Sequence, residues 1–566
     1  MAKPVFHSTF VSRLDRKLEL QDVARNNAPA SMDQTIHCQA IVSDAPKELL
    51  EYDAAISKTR ATLDALESER RTIQEYHGLC RSVLAPIRRL PPEVLTSVFE
   101  CFITPVPWIP WTPDEALTTW KDLLKQETEE VGNQALITLS RVCQRWNNII
   151  MGTPTLWSAV NLDLSVWADP EEAYTRLESP LNKVLLRGQQ TPLTIGVHDT
   201  YGRTPRNGWK RTMALLLRHS SRWKNAFFSQ SPMAFASYDA PNPDFPDLEN
   251  LHLDAQFKDI PPQVTSFFRE VPRLRTLELR SPVGHLHSLG LPFEQLGSLV
   301  LWGVPPAALN DVLPVVSRLP KTSEAHIMIH MIPNTSVSAA GYNTGEITSQ
   351  LESCTVTGYA HTKEVDGVMT RFVLGQIFQR LNLPRVTFLG FDYHAKYVPM
   401  PWPHDEFVAF AARSSLKTHL TRINLGWVVV NEPQMLEILG NLPLLTFLLI
   451  SDHKVVDKSD VVAVTNTVLH RLTRKDSTDE GCLCPNLNSF TFFSHLEFDE
   501  GVCRDFITSR VSRGGKGGIK KFELEVCWYE MGRRKPGPDE FVEAKQLDAQ
   551  GKMKFAIKGY RLENEK

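Results

Sequence analysis

The hexapeptides LENLHL (248–253), LRTLEL (274–279) and LGSLVL (296–301) share one pattern, Leu-x-x-Leu-x-Leu, and begin at residues 248, 274 and 296. Starts this far apart fall within the period of about 20–29 residues that marks leucine-rich repeats. A strand sends alternate side chains to opposite faces, so the leucines of each copy stack inward and the residues between them face outward. Looser copies follow at Leu383, Val386, Phe388; Leu420, Ile423, Leu425; Leu445, Leu448, Ile450; Leu487, Phe490, Phe492; and Ile519, Phe522, Leu524. Pro246, Pro272, Pro292, Pro443 and Pro485 precede several of them, as a turn feeding a short strand requires. The expectation for residues 241–566 is an irregular leucine-rich-repeat-like α/β solenoid with one parallel strand per repeat. The interval from Leu445 to Leu487 implies insertions, and a generic α/β domain remains an alternative. In a solenoid, Glu249, His252, Arg275, Glu278, Ser298 and Val300 are candidate contacts to a protein target, with ordinary solvated positions as the plainer reading of each.

Residues 161–240 read as a connecting α/β region. SPLNKVLLRGQQTPLTIGVH (179–198) reads as a turn and two short strands, with alternation at Leu193, Ile195 and Val197. WKRTMALLLRHSSRW (209–223) reads as a helix with Met213, Leu216, Leu217 and Trp223 in the core.

Residues 89–160 carry three apolar helical stretches. Pro91 and Pro92 suit the opening of a helix, and Glu93 lies where negative charge favours the helix dipole. Leu95, Val98, Phe99 and Phe102 form one stripe that ends at Thr104–Pro105. An insertion near 104–133 holds Trp108, Trp111 and Trp120 among prolines and acids, and its first part reads as a loop. Leu139, Val142, Cys143, Trp146, Ile149 and Ile150 then repeat helical spacing until Gly152 and Pro154, with Leu156 and Trp157 outside that helix. Cys143 reads as a packing residue in this register. So little chain cannot bury this much apolar surface within itself. It therefore packs against the rest of the protein or docks on a partner.

Upstream, residues 46–88 read as an amphipathic helix. Leu49, Ile56, Leu63 and Leu84 share one heptad position; Tyr52, Thr59, Leu66, Ile73, Cys80 and Ile87 share the position three later. Arg70 and His77 interrupt the first row. A coiled coil with self-association is one outcome of the pattern, and packing on the same chain or a partner is the other. Residues 1–45 show few periodic apolar positions and read as mostly disordered.

Composition excludes several classes. A net charge of -3 gives no general reason to expect nucleic acid or an anionic membrane as partner. Arg510, Arg513, Lys516, Lys520 and Lys521 surround the GGKGG stretch, with Arg533, Arg534 and Lys535 beyond it; they read as a solvated loop before a phosphate site. No apolar run reaches the ~18 residues a membrane helix needs. Arg13, Asp15, Arg16 and Lys17 break any secretory core, which points to cytoplasm or nucleus. The nine cysteines show no framework spacing, and Cys482 and Cys484 lack a second ligand pair for zinc. The sequon at Asn334 reads as chance. No P-loop, Rossmann fingerprint, HExxH or Gly-x-Ser-x-Gly is present, and the pairs His285/His287 and His326/His330 have no evident carboxylate base. The expectation is a non-catalytic protein with no catalytic residues, metal or cofactor.

LPPEVLTSVFECF (90–102) followed by LSRVCQRWNNIIMGTPTLW (139–157) resembles the F-box, and in particular the F-box-like proteins abundant in mushroom-forming fungi. The resemblance covers about 45 residues outside the insertion. It implies a trihelical module whose apolar ridge seats on the Skp adaptor and, through it, a cullin. By motif position the adaptor contacts would be Leu90, Pro91, Pro92, Val94, Leu95, Val98, Phe99, Val142, Cys143 and Trp146. The chain would then be the substrate-recognition subunit of a Skp–cullin–F-box ubiquitin ligase, with the repeats holding an unknown protein target. The competing reading is a scaffold with an F-box-like fold that joins no ligase.

Overall fold

The computed structural model describes residues 16–27, 29–102, 134–163, 170–198, 207–229, 243–254, 268, 270–280, 286, 290–331, 345–359, 367–394, 400–426, 428–451, 462–474, 481–494, 498–511, 518–528 and 541–561. The chain divides into two units, residues 1–95 and 96–566. The expected loop at 104–133, the sequon, the GGKGG stretch through Gly517, Arg533–Lys535 and the pair His285/His287 lie outside the described residues.

The first unit is helical. Helix α1 (Lys17–Asn26) ends on Asn27 in the left-handed region, and α2 (Met32–Leu84) runs for 53 residues. A capping box starts α2: the Ser31 hydroxyl accepts from the Gln34 amide, and the Ser31 amide donates to Gln34 Oε1 at 2.9 Å. Arg16 and Asp33 pair at 2.7 Å between the two helices. Residues 17–26 and 32–45 are thus helical, not disordered, and the long helix begins at Met32, well ahead of the start expected at residue 46. It passes through Pro46, losing one backbone hydrogen bond without ending, because the capped turns upstream already hold the helical conformation.

The second unit is an α/β solenoid built on one sheet of 14 strands in strict chain order. The strands are β1 (Ala159–Asp163), β2 (Leu193–His198), β3 (Trp223–Ser229), β4 (Asn250–Asp254), β5 (Thr276–Arg280), β6 (Ser298–Val304) and β7 (Glu324–His330). They continue as β8 (Ser353–Tyr359), β9 (Phe388–His394), β10 (Arg422–Gly426), β11 (Phe447–Ser451), β12 (Ser489–Ser494), β13 (Lys521–Trp528) and β14 (Lys554–Arg561). Adjacent strands pair in parallel, as in β4 against β5 and β5 against β6. The sheet starts at Ala159, so residues 161–240 carry its first strands and are no separate connector. Within that region, residues 170–187 form a helix through Pro180 and a single strand follows, in place of the two short strands expected.

The leucine frame holds in the intact copies. Leu251, Leu277 and Leu299 stand side by side in register, as do Leu253, Leu279 and Leu301, and all are buried. Return helices cover this face. Phe378 of the helix Gly367–Arg380 and Phe407 of the helix His404–Arg413 meet Phe391 of β9. Phe506 of the helix Glu500–Val511 lies 4.8 Å from Phe490 of β12. One copy is displaced from expectation. In β9 it is Leu389 and Phe391 that align with Ile423 and Leu425, so the repeat frame is Val386, Leu389, Phe391, and Phe388 faces the other way.

At the entrance to these strands the ladder already exists. The amide of Glu249 donates to Lys224 O, Arg275 to Glu249 O, Gly297 to Arg275 O and Glu324 to Gly297 O, at 2.7–2.9 Å. Further on, the hydroxyls of Thr387, Thr421 and Thr446 each donate to the preceding member of this column at 3.1 Å. Arginines tie the returns together: buried Arg222 donates to Thr191 O at 3.0 Å, and half-buried Arg413 to the carbonyls of Phe378 and Leu381. Arg510, read as part of a solvated basic cluster, is fully buried and belongs to this group.

Candidate functional site

Two regions present side chains that the fold does not consume. The first is the short helical segment that precedes β1. Helix α3 (Pro92–Glu100) is followed by α4 (Gln134–Ser140), α5 (Gln144–Gly152) and a turn of 3-10 helix at Pro154–Trp157. The continuous helix expected over 139–150 is broken: the Arg141 and Val142 amides close a tight turn on Thr138 and Leu139, and Cys143 is extended. Cys143 is therefore an exposed residue at the start of α5, not a packing residue.

Packing locks this segment from inside. Phe99 and Trp146 meet edge to face, with ring centroids 5.0 Å apart. Trp157 is buried, its indole N–H donates to Ile150 O at 2.8 Å, and the guanidinium of Arg187 lies over its ring. The motif residues consequently fall into two sets. Leu95 and Phe99 are buried, while Leu90 and Trp146 are half-buried. Pro91, Pro92, Val94, Val98, Val142 and Cys143 are exposed, Val142 to 59%. Leu95 and Phe99 thus build structure, and the surface is left to the valines. Phe102 and Ile137, which the motif did not single out, are also exposed.

The second region is the sheet face opposite the return helices. Register places its side chains in rows across the strands. One row runs Asn225, Asn250, Thr276, Ser298, Glu324; the next runs Phe227, His252, Glu278, Val300, His326. The rows are bonded laterally. Asn250 Nδ2 donates to Asn225 Oδ1 at 2.6 Å, and Asn225 Nδ2 to Thr194 Oγ1 at 2.8 Å. His252 stacks on Phe227 and its Nδ1 lies 3.1 Å from Glu278 Oε2. Arg280 lies over Trp302, and Arg422 lies over both Phe388 and Phe447.

Across β5 to β10 this face forms a cleft of about 570 Å³ lined by Glu278, Val300, Trp302, Glu324, His326, Phe388 and Arg422, among others. Of the six candidate target contacts, Glu278, Ser298 and Val300 line it. His252 is 2% exposed and is consumed by its stacking on Phe227 and its contact with Glu278. Glu249 and Arg275 sit in the column ahead of the strands, where Glu249 pairs with Lys224 at 3.4 Å. Trp302, His326, Phe388 and Arg422 escape a sequence reading. The first lies just beyond the repeat signature, Phe388 follows from the displaced frame at β9, and Arg422 stands one place before Ile423 in a copy that keeps the expected frame.

Polar atoms remain unmatched here: His252 Nε2, Trp302 Nε1, Asn424 Oδ1 and Ser451 Oγ have no hydrogen-bond partner among the described residues. His326 is not among them, since its Nε2 lies 2.9 Å from Thr357 Oγ1. No group of three or more His, Cys, Asp or Glu among the described residues is arranged to hold a metal. Cys484 is buried, and burial pushes its thiol up to about 12. Among the described residues no helix is long and apolar enough to cross a membrane.

No protein-family model and no curated protein sequence matches the chain. Among solved structures, the yeast complex of Rad7 and Elc1 is similar at 13% identity over 79% of this chain and 97% of that chain, with a TM-score of 0.32. Superposition at that level carries no inference about role.

Proposed function

We propose that the chain is a non-catalytic, target-binding subunit of a Skp–cullin ubiquitin ligase. Its α3–α5 segment docks on the Skp adaptor, and the sheet face opposite the return helices holds a protein target. The observation that carries this reading is the division within the segment: Phe99, Trp146 and Trp157 close its interior while Val98 and Val142 stand exposed. A helical segment that has already satisfied its own core yet keeps valines at motif positions is suited to a groove on another protein. The order of LPPE, VCxxW and PxLW motifs supports the choice of adaptor. For the target, the cleft across β5 to β10 supplies aromatic and charged groups and the unmatched indole N–H of Trp302 on a rigid surface.

The test is co-purification of the full chain with Skp adaptor and cullin, comparing wild type with Val98→Asp/Val142→Asp. Both positions are exposed, so the fold survives and circular dichroism stays unchanged. Loss of the adaptor from the double variant supports the reading. Undiminished recovery of adaptor by that variant, or its absence from wild type, refutes it.

A further inference from the structure

We propose that α2 is a dimerisation helix, and that a second copy of the chain lies along it antiparallel, with the two-fold axis between Leu63 and Leu66. Three observations carry this. First, α2 has no buried residue, and from Ile56 to Leu84 every residue is exposed, including Ile56, Leu63, Leu66 and Ile73. A helix takes most of its stability from packing an apolar face, and among the described residues nothing else in its own unit covers this one. Second, Leu49, Ile56 and Leu63, with Leu66 and Ile73 on the companion row, keep a strict seven-residue step. That step is the signature of a seam between two helices, not of a helix lying on a globular surface. The stretch from Ala45 to Leu84 is ~60 Å long, well beyond the three or four heptads a coiled coil needs.

Third, charge selects the orientation. In a parallel pair Arg70 would face its own copy in the seam, and Glu48 would flank Asp53 of the second copy. Both contacts are repulsive. The antiparallel alignment sets Ile56 against Ile73 and Leu63 against Leu66, twice each. It moves Arg70 opposite Thr59 and brings Arg60 beside Glu67 on both flanks. No like charges then meet across the seam. The occupant is accordingly a second copy of this chain.

The experiment is light scattering of the full chain after gel filtration at micromolar concentration, with circular dichroism to separate dissociation from unfolding. Wild type should run at twice the chain mass of 64.0 kDa. Leu63→Glu/Leu66→Glu should be monomeric with α2 still helical. Arg60→Glu alone and Glu67→Arg alone should each weaken the dimer roughly tenfold, and the two together should restore it. That restoration distinguishes the antiparallel register, since a parallel pair never brings these positions together. A monomeric wild type, a dimer indifferent to the two glutamates, or a charge exchange that fails to restore association would each overturn the proposal.

Discussion

Arg510 grips Leu472: both Nε and Nη2 of the buried guanidinium donate to that one carbonyl, at 2.9 and 2.6 Å. The remaining donors reach Leu483, Cys484 and Leu487 O at 3.0–3.1 Å. A planar fork of fixed donors thereby satisfies four carbonyls of one return segment, which a lysine could not do.

Arg510→Ala should therefore remove about 3 kcal/mol or more, because the buried acceptors lose a charged donor and gain no water. Arg510→Lys should rescue little of it. In a solenoid the damage stays local, so hydrogen exchange should speed up in β12 and β13 while β4 to β6 keep their protection. Unchanged exchange in β12 and β13 would contradict the role given to Arg510.

A second prediction concerns acid. The guanidinium of Arg222 lies 3.2 Å from His219 Nδ1 and can only donate, so that nitrogen must accept. Burial first, then the charges of Arg222 and Arg218, hold His219 below the usual imidazole pKa. Burial lowers His419 as well, against an opposing hydrogen bond from its ring to the Leu383 backbone. For a base whose folded pKa is depressed, the unfolded chain takes the proton first as pH falls. Stability is then full above the ordinary imidazole pKa and declines below it. Melting temperature should drop between about pH 7.5 and about pH 5.5, and His219→Gln/His419→Gln should flatten that slope. Equal slopes in the two proteins would rule these histidines out.

Thiol chemistry gives a third. Burial pushes Cys354, Cys484 and Cys503 each up to about 12, whereas Cys80, Cys101 and Cys143 are exposed. A chromogenic thiol reagent at mildly alkaline pH should label the exposed three in the native protein and the buried three only after denaturation. Peptide mapping identifies the sites, and native labelling of Cys484 would count against the packing described.

The fourth turns on a close approach. A Cβ at Gly426 would come within 2.6 Å of Asp392 Oδ1, and Asp392 is itself buried. Gly426→Ala should cost about 1–3 kcal/mol as overpacking between β9 and β10. Gly78, inside α2, has open space around it, so Gly78→Ala should gain about 0.5–1 kcal/mol from helix propensity. Urea midpoints should move in opposite directions for the two variants.

How much of this is visible in the chain itself varies with the residue. The copies at 248, 274 and 296 announce a solenoid because leucine at steps of three and two returns there at intervals of 26 and 22 residues. At β9 the apolar residues Leu383, Val386, Leu389 and Phe391 run at steps of three, three and two. Two frames fit that run as written, and only the pairing of Leu389 with Ile423 decides between them. Strand β7 lacks the leading leucine and β8 keeps only Leu351 of the three, and their rows include His326, Thr355 and Thr357. Those residues mimic surface until Thr357 is seen bonded to His326. Arg510 misleads for a different reason. Its neighbours in sequence are cationic, but its partners are backbone carbonyls, which every residue carries and no residue type reveals. In the α3–α5 segment the apolar positions are legible, yet which of them face inward depends on the break at Arg141–Cys143.

The strict chain order of the 14 strands also dictates how the molecule would behave under tension. Each strand is laced only to the one before and the one after. A pull applied at the two ends of the sheet loads every ladder in series, and the terminal strands, paired on one side only, give way first. Rupture should then travel inward one repeat at a time, a sawtooth of small force peaks in place of a single break. A motor that drags the chain into a narrow pore from either end would meet a succession of modest barriers, each no taller than one strand's worth of pairing.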